Sequence, residues 1–154
     1  MKQGRQLLWP VVLAAGLLLL IGCTKQPARV NVALSAASNV NPDSSGHALS
    51  VVVRIYQLKD KGRLETADYN AIWKSDREIL SEDFLDRQER MVQPGTQEML
   101  EIRTHPMAAY LGVVALFQNP RGDTWRRIVP VQGKNQKIRL DLREQNVEII
   151  SVNK

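Results

Sequence analysis

The stretch Leu49 to Leu58 constrains the fold more than any other. Leu49, Val51, Val53 and Ile55 fall on one face of a two-residue period, and Val52, Arg54 and Tyr56 fall on the other. A two-residue period marks a β-strand. Apolar residues on both faces mark a strand covered on both sides, hence central in a layered sheet. Tyr110 to Phe117 repeats the pattern, with Gly112 as a point of close packing.

The remaining apolar periodicity completes a set of about eight short strands. Val30, Val32 and Leu34 alternate with Asn31, Ala33 and Ser35. Arg87 to Val92 is a weaker strand closed by Pro94-Gly95, a strong turn signal. Glu98 to Arg103 follows, then Trp125 to Val131, whose Pro130 argues for an edge or a bulge. Ile138, Leu140 and Leu142 alternate with charged residues, and Val147 to Val152 ends the series. The exception lies at about 66–85. Thr66 is placed to cap a helix carrying Ala67, Tyr69, Ala71, Ile72 and Trp73. Ser75-Asp76-Arg77-Glu78 reads as a capping box opening a second short helix, with Ile79, Leu80 and Phe84 as its buried stripe. Many short strands with regular turn signals predict an all-β, two-sheet β-sandwich over residues 30–152, with a small inserted helical pair. Trp73 and Trp125 are read as core or core-edge residues, not as ligand platforms.

The first part of the chain reads differently. Lys2 and Arg5 precede an uncharged run, Leu7 to Gly22, that ends at Cys23. The run is short of the roughly 20 apolar residues of a spanning helix. It has the layout of a cleaved secretory signal peptide, residues 1–22. Leu20, Ile21 and Gly22 before Cys23 form a lipobox: an apolar residue three positions before a thiol, a small residue at the scissile bond, and a sulfur to carry diacylglycerol. Cleavage leaves 132 residues, one domain in size, with formal charge +3 from 19 basic and 16 acidic residues. Residues 23–29 are then a lipidated cysteine and a short tether. Several acyl chains exceed the marginal hold of one, so attachment is permanent. Thr24 lacks the aspartate associated with inner-membrane retention, so the expected location is the periplasmic face of the outer membrane.

A search for chemistry returns little. With Cys23 acylated, no thiol remains for a disulfide or a metal. His47 and His105 stand apart from each other and from any ligand cluster. Glu82, Asp83 and Asp86 near the end of the helical insertion form a solvated face more readily than a catalytic pair. Trp125-Arg126-Arg127 and Lys134 to Arg139 place their charges on outward strand positions, and neither they nor the mild charge call for nucleic acid. No catalytic residues, metal, cofactor beyond the lipid, or small-molecule substrate is expected. What stands out is the segment Ala37 to His47, rich in turn formers and long for a strand connection. Its Ser38, Asn39, Val40, Asn41, Pro42, Asp43, Ser44 and Ser45 are the candidate partner-binding residues.

The lipobox, the run Val51-Val52-Val53-Arg54-Ile55-Tyr56-Gln57-Leu58-Lys59, the segment opening Ala67-Asp68-Tyr69, the Pro94-Gly95 turn, and Leu111-Gly112-Val113-Val114-Ala115 followed by Trp125-Arg126 resemble the outer-membrane lipoprotein of type VI secretion systems, the TssJ (VasD/SciN) family. The resemblance implies a transthyretin-like sandwich. It also implies a non-catalytic assembly role, holding the periplasmic domain of the inner-membrane subunit TssM, and through it a TssL-containing complex, at the outer membrane. The loop between the first two strands is the implied contact, here Ala37 to His47. Two rival readings are a pilotin that escorts a secretin and a lipid-anchored envelope hydrolase using carboxylates near the helical insertion.

Overall fold

A computed structural model of the chain describes residues 27–153. The strands are β1 (Arg29–Ala36), β2 (Val51–Leu58), β3 (Phe84–Val92), β4 (Gln97–Arg103), β5 (Tyr110–Leu116), β6 (Arg126–Pro130), β7 (Asn135–Arg143) and β8 (Asn146–Asn153). Two helices, α1 (Gly62–Thr66) and α2 (Tyr69–Leu80), lie between β2 and β3. The strands form two four-stranded sheets, ordered β4-β1-β7-β8 and β3-β2-β5-β6. Neighbours pair antiparallel, except that β1 and β7 run parallel, with Val30 opposite Gln136 and Leu34 opposite Leu140. The expected two-sheet sandwich with its helical addition is therefore what the chain forms. Among the described residues no helix is long and apolar enough to cross a membrane.

Alternation builds the core. Val30, Val32, Leu34 and Ala36 of β1 and Ile138, Leu140 and Leu142 of β7 are buried, as are Val51, Val53 and Ile55 of β2 and Val113 and Ala115 of β5. β2 and β5 occupy the two central places of their sheet, as apolar residues on both faces predict. The opposite face of that sheet carries Tyr56, Leu58 and Val114, buried together with Leu64, Ile72 and Leu80 of the helices. Gly112 makes the close approach possible: a Cβ there would lie 2.3 Å from Leu64 Cδ2 and 3.2 Å from Leu58 Cδ1. Among the described residues nothing covers the sheet β4-β1-β7-β8 in this way, and Met99 on its outer face is 74% exposed. Pro130 sits on β6, an edge strand, where its missing N–H costs nothing.

The helical insertion departs from expectation. It begins at Gly62 instead of Thr66, and Thr66 ends α1, its hydroxyl donating to the Gly62 carbonyl. The cap of α2 is Asp68, whose carboxylate accepts from the Asn70 and Ala71 amides. The expected break at Ser75 is real, since that residue has φ −141° and ψ 42° inside α2. No hydrogen bond of the Ser75 hydroxyl is found among the described residues, and the Arg77 amide, two residues on, donates to Asp76 Oδ1. Phe84 belongs to β3, and Leu49 precedes β2, 37% exposed. Trp125 is core, but Trp73 is 51% exposed. Arg126 does not point outward either. It stacks over the Trp125 ring, 4.6 Å from its centroid, and donates to the Ala67 carbonyl.

Candidate functional site

The segment between β1 and β2 is a built loop held by its own middle. Val40 is fully buried and Asn41 is 5% exposed. Asn41 adopts φ 50°, a left-handed conformation that asparagine tolerates. From that position its Nδ2 donates to the Ser50 carbonyl at 2.8 Å, and its Oδ1 accepts from the Gln118 amide at 2.7 Å. Its own amide donates to the Glu144 carbonyl at 2.6 Å. One residue thus joins the loop to the ends of β2 and β5 and to the β7–β8 hairpin.

Beyond Asn41 the chain makes a tight turn around Asp43. Asp43 Oδ1 accepts from the Ser45 amide at 2.8 Å and the His47 amide at 2.9 Å, and the Gly46 amide donates to the Asp43 carbonyl. This is the side-chain mimic of a backbone turn that aspartate favours. The amide of His47, with that of Ser45 adding to it, holds the Asp43 carboxyl below its ordinary 3.8. Asn39 reaches across to Glu144 Oε1 at 3.2 Å. Of the eight predicted loop residues, Ser38, Asn39, Ser44 and Ser45 are exposed, Pro42 and Asp43 half-buried, and Val40 and Asn41 inside. The last two shape the loop and offer no contact surface.

Beside the loop lies a cleft of about 540 Å³ lined by Asn39, Arg121, Thr124, Arg143, Gln145 and Asn146. Sequence reasoning missed it because its walls come from three loops far apart in the chain. Thr124 holds two of them together, its hydroxyl at 2.7 Å from both the Arg121 and Gln145 carbonyls. The Gln145 side-chain oxygen is buried and has no hydrogen-bond partner among the described residues. Loop and cleft together form a polar surface at one end of the sandwich, carrying amides, hydroxyls, two arginines and the carboxylates of Glu144 and Asp43.

The carboxylates near the helical insertion are otherwise engaged. Glu82 and Asp83 both pair with Arg63, and Asp86 accepts from Gln57 at 3.2 Å. The concentrated electrostatics lie at Asp76, 7% exposed, a residue that sequence reading took for part of a capping box. Asp76 Oδ2 accepts from Tyr56 OH at 2.8 Å and Arg87 at 2.5 Å, with Arg54 3.6 Å away. Burial pushes its carboxyl up, but the bonds from Arg87 and Tyr56 and the charges of Arg87 and Arg54 outweigh that and hold it below its ordinary value. Arg54 also donates to the Ile72 and Trp73 carbonyls, which the break at Ser75 leaves open. The cluster fastens α2 to the sheet. Among the described residues no group of three or more His, Cys, Asp or Glu is placed to hold a metal ion. The lipobox Leu20, Ile21, Gly22 and the lipidation residue Cys23 lie outside the described residues.

Comparison with known proteins places these observations. Residues 28–146 match the family described as type VI secretion lipoprotein, VasD, EvfM, TssJ. Among solved structures the chain is similar to the T6SS lipoprotein TssJ1 from Pseudomonas aeruginosa, with TM-score 0.77 and 29% identity over 83% of this chain and 98% of that one. The lipoprotein Lip of Serratia marcescens, a membrane-bound component of the type VI secretion system, shares the fold at TM-score 0.75 and 19% identity, over 81% and 99% of the two chains. A chain of a structure described as T6SS protein TssM C-terminal domain (869-1107) from EAEC matches at TM-score 0.72 and 28% identity, over 79% of this chain and 99% of that one. No curated protein matches.

Proposed function

This chain belongs to the type VI secretion lipoprotein family, and on that premise we propose that it is an acylated anchor that holds the periplasmic part of TssM at the outer membrane. The observation that carries the reading is the likeness to a chain from the structure described by the TssM C-terminal domain. The described span 869 to 1107 is 239 residues long, whereas the matched chain is almost wholly covered by 79% of these 154 residues, about 122. From its length we read that chain as one that accompanies the domain in that structure. By this reading Cys23 carries the lipid, the domain faces the periplasm, and the loop Ser38 to Ser45 with its neighbouring cleft receives TssM. TssL is reached only through TssM. The role is structural and uses no catalytic residue and no cofactor besides the covalent lipid.

The loop is rigid through Val40 and Asn41, so it presents Ser38, Asn39, Ser44 and Ser45 with little ordering cost on binding. The cleft adds Arg121 and Arg143 to the same surface. The test is retention of the TssM periplasmic domain by the mature chain. Replacing Ser44 and Ser45 with bulky residues, which leaves Asn41 in place, is expected to weaken retention, and undiminished retention sinks the loop assignment. Cys23→Ser is expected to release the folded domain into the soluble periplasmic fraction and stop secretion; continued outer-membrane fractionation contradicts the anchor.

A further inference from the structure

β1 runs from the tether to the loop. Its eight residues, at about 3.3 Å each, put Ala36 and the loop roughly 25 Å from Arg29. The end where the tether enters is therefore opposite the end where the loop sits. At the tether end Ala28 is gripped by Thr104, whose amide and hydroxyl both donate to the Ala28 carbonyl, at 2.9 and 3.0 Å. Arg29 N–H donates to the Lys134 carbonyl at 2.8 Å. The chain thus enters between the β4–β5 loop and the β6–β7 loop.

The surface around that entry is basic. Arg29 stands opposite Arg103 in the β1–β4 ladder, and the two share the single acid Glu101, at 3.4 and 4.0 Å. Lys134 and Lys137 are exposed on the β7 side, and Lys59 follows β2 next to the β4–β5 loop, where the Ala109 amide donates to the Leu58 carbonyl. None of these three lysines has an ion-pair partner among the described residues. Of the acids nearby, Glu65 pairs with Lys61, and Glu82 and Asp83 share Arg63, while among the described residues Asp60 and Asp86 have no ion-pair partner and accept from the Gly62 amide and the Gln57 side chain. At the same end the β4–β5 loop, which begins after Arg103 and meets Leu58 through Ala109, exposes Met107, 57% open to solvent.

We propose that this end is a membrane-docking face: Arg29, Lys59, Arg103, Lys134 and Lys137, with Met107 at the same end, rest on the phosphates of anionic phospholipid and turn the loop away from the bilayer. The inference rests on acylation at Cys23, which the proposed function includes. From Cys23 to Arg29 the chain spans at most about 20 Å, so a lipid on that sulfur keeps this end within reach of the headgroups. Contact matters because attraction to the surface fades within a screening length of roughly 8 Å. Within that distance each basic side chain is worth about a five-fold gain in partition. The acyl chain supplies attachment; the cations supply orientation.

The test uses the acylated chain, its acylation read by mass, in vesicles of phosphatidylcholine with or without phosphatidylglycerol. Acylation consumes the only cysteine, so a fluorophore can be placed at Gln132→Cys near the tether end or at Ser44→Cys on the loop. A headgroup quencher in anionic vesicles is expected to quench the label at 132 and spare the label at 44. Omitting phosphatidylglycerol, raising salt, or combining Lys59→Glu with Lys134→Glu is expected to erase that contrast, while Lys74→Glu with Arg90→Glu keeps it. Equal quenching at both positions, or a contrast indifferent to lipid charge, overturns the docking face. If mass shows no acyl chain, the anchor reading fails on its own. The same protein then tests the face by cosedimentation with anionic vesicles, where a drop of at least about ten-fold on the double lysine reversal supports it and no drop overturns it.

Discussion

Tyr56 donates its hydroxyl proton to Asp76 at 2.8 Å, and that bond ties the outer face of the β2 strand to the helix lying over it. The same carboxylate holds Arg87 at 2.5 Å. Removing the carboxylate leaves the Arg87 guanidinium and a phenol without their partner in a mostly dry place, while Arg54 keeps Glu89 at 2.9 Å. Asp76→Ala is expected to cost about 3 kcal/mol of unfolding free energy, measured by denaturant titration. Tyr56→Phe removes one bond from an otherwise satisfied cluster and is expected to cost about 1 kcal/mol. Equal losses for the two variants would mean that packing, not charge, holds the helix there.

Acid exposes the same cluster. The folded Asp76 carboxyl lies below its ordinary 3.8. The unfolded chain therefore takes up this proton first as pH falls, and the stabilisation from Asp76 is complete above about pH 4 and lost as pH drops toward the folded value. In Asp76→Asn that part of the acid-induced loss is expected to vanish. Unfolding curves of both proteins between neutral pH and pH 3 check this by whether they converge.

Gly112 faces Leu64 with no room for a Cβ, since one placed there would be 2.3 Å from a fully buried methyl. Gly112→Ala is expected to destabilise by about 1–3 kcal/mol through overpacking. Adding Leu64→Ala frees the space, so the double variant is expected to lose less than the two single losses combined. Strict additivity in a double-mutant cycle argues against the contact.

Asn41 carries three hydrogen bonds at φ 50°. Asn41→Ala loses two of them and strains the backbone, for an expected cost of about 2 kcal/mol. Asn41→Gly relieves the strain but not the bonds, and is expected to fall between wild type and alanine. Hydrogen exchange at the Gln118 amide is the local readout, with faster exchange expected in both variants.

These positions also show where sequence reading reached and where it stopped. β2 and β5 were legible because both faces are apolar, a pattern that only a doubly covered strand needs. Helix α1 was not, because a single turn with one apolar residue, Leu64, carries no period to detect. The Asp76 cluster unites Arg54, Tyr56, Asp76 and Arg87, which neighbour one another only after β2, α2 and β3 have packed. The parallel pairing of β1 with β7 joins residues about a hundred positions apart, and nothing local announces it. The loop was visible from its turn formers, but composition alone does not say which side chains turn in. Val40, the one bulky apolar residue from Ser38 to Ser45, was the available signal that the middle of the loop is an anchor.

β1 connects the two ends of the sandwich from the middle of its sheet, laddered to β4 on one side and to β7 on the other. A pull applied between its ends runs along the strand, across hydrogen bonds that lie broadly transverse to it on both flanks. Such bonds are loaded in shear, so they share the tension and must rupture together, whereas an edge strand peels one bond at a time. The strand beside the tether is thus the one best placed to carry force without unravelling the domain.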